Sequence, residues 1–156
     1  MALSIKKIVS GGQTGADRAA LDYAMAAGIP HGGWVPRGRL TESGPLPARY
    51  GMKETRDSGY EERTEKNVAD SDGTIVFYCG KLKGGSLLTW ALARRRGKPV
   101  LGIDLDKWEP DPARTREWIR ESRVSILNVA GSRASQAPGI YADVKKYLRE
   151  LFEPPS

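Results

Sequence analysis

Short apolar runs alternate along this chain with longer amphipathic stretches, and glycine separates the two. Ile5–Val9, Thr74–Cys79 and Ser125–Val129 are each nearly continuous in apolar residues, as strands covered on both faces are. Each leads into a glycine-bearing loop and then into a helical stretch: Ala16 to Ala27, about Ser86 to Arg96, and about Gly139 to Phe152. In the last of these Ile140, Val144, Leu148 and Leu151 make one stripe at helical spacing. Gly28 with Pro30, and Gly97 with Pro99, punctuate the first two helices: glycine supplies the left-handed residue past a helix end, and proline blocks continuation.

Val100–Ile103 reads as a further strand, and Asp111-Pro112 opens a helix through about Glu121, with aspartate as cap and proline at the first helical position. Gly32–Val35 is a short strand, and Tyr60 to Val68 a helix with Tyr60, Thr64, Asn67 and Val68 on one side. Strands alternating with helices predict an α/β fold: a Rossmann-like three-layer sandwich, its sheet mainly parallel and helices on both faces. The 156 residues fit a single domain, 1–156. Within it, residues 37–59 lack apolar periodicity and carry Arg37, Arg39, Arg49, Lys53 and Arg56, so they are expected to form an irregular, lid-like insert.

Composition narrows the chemistry. No apolar run approaches the roughly 20 residues of a membrane helix and no secretory signal pattern opens the chain, so no membrane partner and a cytoplasmic address are expected. With one cysteine and one histidine, neither a disulfide nor a Cys/His zinc site can be assembled, and no directly bound metal is expected. The net charge of +6 favours an anionic partner. Its densest cluster, Arg94-Arg95-Arg96 with Lys98, falls in the last turn of a helix, where cations complement the helix dipole.

The three glycine loops lie where a parallel sheet binds ligands, between strand ends and the unpaired amides of helix starts. Gly11, Gly12, Gln13, Thr14 and Gly15, followed by Asp17 and Arg18, are neither a Walker A sequence nor G-x-G-x-x-G. Thr14 also reads as a helix cap and Asp17 as a favourable first-turn acid. Gly84, Gly85, Ser86 and Thr89 form the second candidate group, Ser86 being a good cap. Gly131, Ser132 and Arg133 form the third, adding a guanidinium able to grip phosphate with two hydrogen bonds. A phosphate or other oxyanion is the simplest ligand, with Trp34 and the insert arginines covering its ring system. Asp17 is the weak catalytic candidate.

Gly11–Asp22, Glu65-Lys66-Asn67-Val68 with Ser71-Asp72-Gly73-Thr74, and Leu127–Arg133 with Pro138-Gly139-Ile140-Tyr141 resemble the molybdenum-cofactor carrier family, the circularly permuted YpsA-type branch of the SLOG superfamily. The resemblance implies a Rossmann-like, often homo-oligomeric protein that carries a nucleotide-like ligand such as molybdopterin cofactor or a nucleotide. It also relates the chain to the Lonely-Guy hydrolases and to DprA-type DNA-binding proteins. Those hydrolases carry Pro-Gly-Gly-x-Gly-Thr-x-x-Glu; here Lys83-Gly84-Gly85-Ser86-Leu87-Leu88-Thr89-Trp90 lacks the proline and the glutamate. A binding or carrier protein is therefore expected ahead of a nucleoside-phosphate hydrolase cleaving an N-glycosidic bond, and ahead of single-stranded DNA binding.

Overall fold

The computed structural model describes residues 3–154. A five-stranded parallel sheet forms the middle layer, built from β1 (Lys7–Val9), β2 (His31–Gly32), β7 (Gly73–Tyr78), β8 (Val100–Asp104) and β9 (Ile126–Gly131) in the order β2-β1-β9-β7-β8. The helices are α1 (Ala16–Ala27), α2 (Tyr60–Asp70), α3 (Gly84–Arg95), α4 (Pro112–Glu121) and α5 (Ile140–Phe152). Helices α1, α4 and α5 pack together, as do α2 and α3. Right-handed crossovers put these two groups on opposite faces, giving the expected Rossmann-like sandwich.

Counted from β9, the sheet reads 3-2-1-4-5, the order of a Rossmann sheet; the chain enters that order one unit late. Connections from β1 run to one edge and those from β7 to the other, so the crevice at the carboxyl ends of β1, β9 and β7 is the switch point of the fold. Ile8, Ile75, Phe77, Leu127 and Val129 pack in the main core with Ile140, Val144, Tyr147, Leu148 and Leu151 of α5. Asp111 caps α4 as its sequence predicts, accepting from the Arg114 amide at 2.9 Å.

The strand expected over Gly32–Val35 divides at Gly33. There φ is +123°, and a Cβ would lie 2.4 Å from the Ser10 carbonyl oxygen. Beyond this break β3 (Trp34–Val35) leaves the main sheet and pairs with β6 (Lys53–Glu54). The 37–59 insert has more structure than its sequence suggests. A hairpin of β4 (Leu40–Thr41) and β5 (Gly44–Pro45) lies within it, and Leu46 and Tyr50 are buried in a second core with Leu21 and Val35. Burying a Leu-sized side chain stabilises by about 1.5–3 kcal/mol, so the base of the insert is anchored to α1. Arg39 ties the start of the insert to its middle by donating to the carbonyls of Leu46, Pro47 and Tyr50.

Candidate functional site

At the switch point a cavity of about 140 Å³ lies between the first turns of α1 and α3. The end of β9 and the loop after it supply Ala130, Gly131, Ser132, Arg133 and Gln136; α3 supplies Gly85, Ser86, Leu88 and Thr89. Gln13 and Asp17 line it from the β1–α1 side, and Tyr60, Arg63 and Thr64 close it from α2. Gly131 is required here by close approach, because a Cβ on it would lie 2.3 Å from the Phe77 carbonyl oxygen and 2.7 Å from the Ala16 Cβ. Gly85 is the opposite case: a Cβ there meets nothing within 4 Å, in the first turn of a helix, where amides have no intrahelical partner.

Asp17 and Arg63 set the electrostatics. Asp17 is 3% exposed, and its Oδ2 accepts from Arg63 Nη1 at 3.1 Å and from the Gln13 amide at 3.2 Å. Burial pushes the Asp17 carboxyl above its ordinary range, against the opposing pull of the Arg63 guanidinium. Neither bond uses Oδ1. Arg63 Nε is buried without a hydrogen-bond partner, and the guanidinium rests against the Tyr60 ring with Cζ 5.1 Å from its centroid. Arg133 also lines the cavity, its Nε 3.6 Å from the Glu42 carboxylate just outside the lining, so the lining itself holds two guanidinium groups and one carboxylate, which favours an anion.

The cavity brings together Gln13, Gly85, Ser86, Thr89, Gly131, Ser132, Arg133 and Asp17 of the residues singled out in the sequence. The others stand around it. Gly11 underlies Arg63, Gly12 (φ +74°) turns toward Val35 and Leu46, Gly15 packs on the Ser132 carbonyl, and Gly84 lies near Gln136. Arg18 extends away to Tyr50, its Cζ 5.7 Å from the ring centroid.

Three local expectations are corrected. Ser86 does not cap α3: the helix begins two residues earlier, after extended Lys83, and the Ser86 hydroxyl donates back to the Lys83 carbonyl at 2.7 Å. Nor does Thr14 cap α1, which starts from Gly15 with no side-chain cap; its hydroxyl is drawn to the Glu42 carboxylate and accepts from the Ala134 amide at 3.1 Å. Trp34 and the insert arginines do not cover the cavity. Trp34 donates to Asp70 at 2.8 Å on the far side of α2, and Arg49 stacks over Tyr50 with Cζ 4.2 Å from the centroid.

Arg63 and Glu42 are the functional candidates that reading along the chain misses. A signal existed for Arg63: it adjoins Thr64 on the inward side of α2, where a charge needs a partner. Glu42 gives no signal, since an acid in a polar turn is the commonplace arrangement.

Two members of the basic cluster that ends α3 are engaged away from the cavity. Arg96 pairs with Glu65 at 2.9 Å, and Lys98 donates to the carbonyls of Ala69 and Ser71. Among the described residues no group of three His, Cys, Asp or Glu side chains is placed to hold a metal ion, and no helix is long and apolar enough to cross a membrane.

The family model of the circularly permutated YpsA SLOG family matches residues 8–152. The crystal structure of a protein named "Putative molybdenum carrier protein", from Syntrophus aciditrophicus SB, is 48% identical, with a TM-score of 0.94 over 98% of each chain. The structure of (E)-4-hydroxy-3-methyl-but-2-enyl diphosphate reductase is 13% identical, with a TM-score of 0.41 over 94% of this chain and 59% of that one. No curated protein matches.

Proposed function

The chain belongs to the circularly permuted YpsA SLOG family, and from that premise we propose that it binds a small phosphorylated, nucleotide-like ligand. The observation that carries this reading is the convergence of three strand-to-helix loops on one cavity that holds both Arg63 and Arg133. Helix amides and guanidinium groups together suit a phosphate, whose oxygens accept several charge-assisted hydrogen bonds at once.

Size constrains how such a ligand sits. Pockets that enclose drug-sized ligands span about 300–1,000 Å³, so a cavity of about 140 Å³ takes only the anionic group and its nearest atoms. The remainder lies outward, past the exposed ring of Tyr60 at the cavity wall. The name of the Syntrophus relative makes molybdopterin cofactor the first ligand to test. The residues fit the phosphate end of that cofactor, and any metal would come held by its organic part. A cytoplasmic, homo-oligomeric carrier is the form proposed.

Native mass spectrometry of freshly purified protein, with denaturing extraction of anything bound, tests the reading. A released pterin or nucleotide is expected, and Gly85→Leu should lose it while remaining folded. Apo protein that also fails to bind nucleoside monophosphates or pterin phosphates in titration would overturn it.

One observation favours a second reading, a nucleoside-phosphate hydrolase. Asp17 is a buried carboxylate of raised pKa in the cavity wall, and such groups serve as acids or bases. Turnover of a nucleoside monophosphate that disappears in Asp17→Asn would establish it; undiminished turnover in that variant would dismiss Asp17.

A further inference from the structure

We propose that Thr14, Arg133 and Ser135 form a second oxyanion site beside the main cavity, and that Glu42 fills it as an internal stand-in until an anionic group takes its place. The proposal rests on the reading of this sheet edge as an anion-binding site, and adds a subsite and its control.

The Glu42 carboxylate is held as a bound ligand would be. Its Oε2 accepts from the Thr14 hydroxyl and from the Ser135 amide at 3.1 Å; its Oε1 accepts from the Ser135 hydroxyl at 2.5 Å and lies 3.6 Å from Arg133 Nε. The Thr14 hydroxyl accepts from the Ala134 amide, so its own proton is committed to the carboxylate. Two hydroxyls, one amide and one guanidinium around a pair of oxygens are the donors that a phosphate group requires. They come from the β1–α1 and β9–α5 loops, two of the three that line the cavity, and Arg133 belongs to both places.

The part of the chain that carries Glu42 is able to leave. Glu42 and Ser43 make the turn between β4 and β5, strands of only two residues each, and a hairpin that small is marginal alone. Its fixed points, Leu46 and Tyr50, lie beyond it toward the base of the insert. At the tip, the Glu42 amide donates to Gln13 Oε1 at 2.9 Å, a cavity residue. An anion entering the cradle therefore exchanges with the carboxylate, frees the hairpin tip and alters the bonding of Gln13. Affinity for that anion is reduced by the fraction of molecules in which Glu42 is seated.

Inorganic phosphate is the probe. Titrated by calorimetry, Glu42→Ala should bind it about tenfold or more tightly than the native chain, with Glu42→Gln between them. Adding Ser135→Ala should cut the gain, and in the native chain saturating phosphate should speed hydrogen exchange at amides 40–45. Equal or weaker affinity in Glu42→Ala, or a gain untouched by Ser135→Ala, overturns the proposal. Should Glu42→Ala not fold, Glu42→Gln, nearly the same shape without the charge, decides it by the same comparison. Failure of the cavity reading is separately visible: nucleotide binding would then be indifferent to Gly85→Leu, whatever Ser135→Ala does to phosphate.

Discussion

The guanidinium of Arg63 occupies the space that a side chain on Gly11 would fill: a Cβ at Gly11 would lie 1.7 Å from Nη1 and 2.7 Å from Cζ. Two distant segments thereby share one volume, and the arginine reaches Asp17 only because residue 11 is a glycine. Gly11→Ala is expected to fold, since the obstructing atoms end a flexible side chain. It should nevertheless lose about 1–3 kcal/mol of stability as Arg63 is pushed away from Asp17. Carboxylate NMR should then find the Asp17 pKa raised further, because the largest opposing influence has gone; an unmoved pKa would mean that the ion pair survives.

Gly131 and Gly85 are expected to respond with opposite signs, although both line the cavity. At Gly131 a methyl group would collide with the backbone at Phe77, and Gly131→Ala should cost about 2–4 kcal/mol. At Gly85 the space is open and the residue is helical, so Gly85→Ala should leave stability unchanged or raise it by about 0.5–1 kcal/mol. Urea unfolding of the two variants checks both signs.

The layered fold was legible because its signals are local. The glycine after α1, the Asp-Pro start of α4 and the apolar stripe of α5 each act within a few residues, and their elements stand where those signals put them. The insert was not legible. Its order depends on Leu46 and Tyr50 finding Leu21 and Val35, a contact between segments with no periodicity to announce it. The candidate site divides along the same line: the glycine loops are contiguous motifs, whereas the placement of Arg63 and Glu42 depends on partners far away in sequence.

That second core should control the insert as a unit. Leu46→Ala removes a buried side chain packed beside Gly12 and should destabilise by about 2–5 kcal/mol. The loss should be concentrated in the insert, so limited proteolysis should cut within residues 37–59 first, while the β7–β9 amides keep their protection. Cleavage spread evenly over the chain would show instead that the insert and the sheet unfold together.

The Glu42 carboxylate should make the hairpin tip sensitive to acid in a direction that its surroundings fix. The Ser135 hydroxyl first and the Thr14 hydroxyl next hold its pKa below the ordinary 4.5, with the Ser135 amide and Arg133 adding to them. These are the polar and charged groups bonded or paired to it: Thr14 from the β1–α1 loop, and Arg133 and Ser135 from the β9–α5 loop. A carboxyl whose pKa is lower folded than unfolded contributes stability that is full above its unfolded value and is lost as pH falls through its folded value. The stability difference between the native chain and Glu42→Gln should therefore be largest near neutrality and shrink below about pH 4.5. Asp17 titrates with the opposite sign, so the acid profile of the native chain alone would blend the two; subtracting the variant isolates Glu42. A difference that stays constant from neutrality down to pH values well below 4.5 would mean that the carboxylate is not seated on Ser135 and Thr14 in solution.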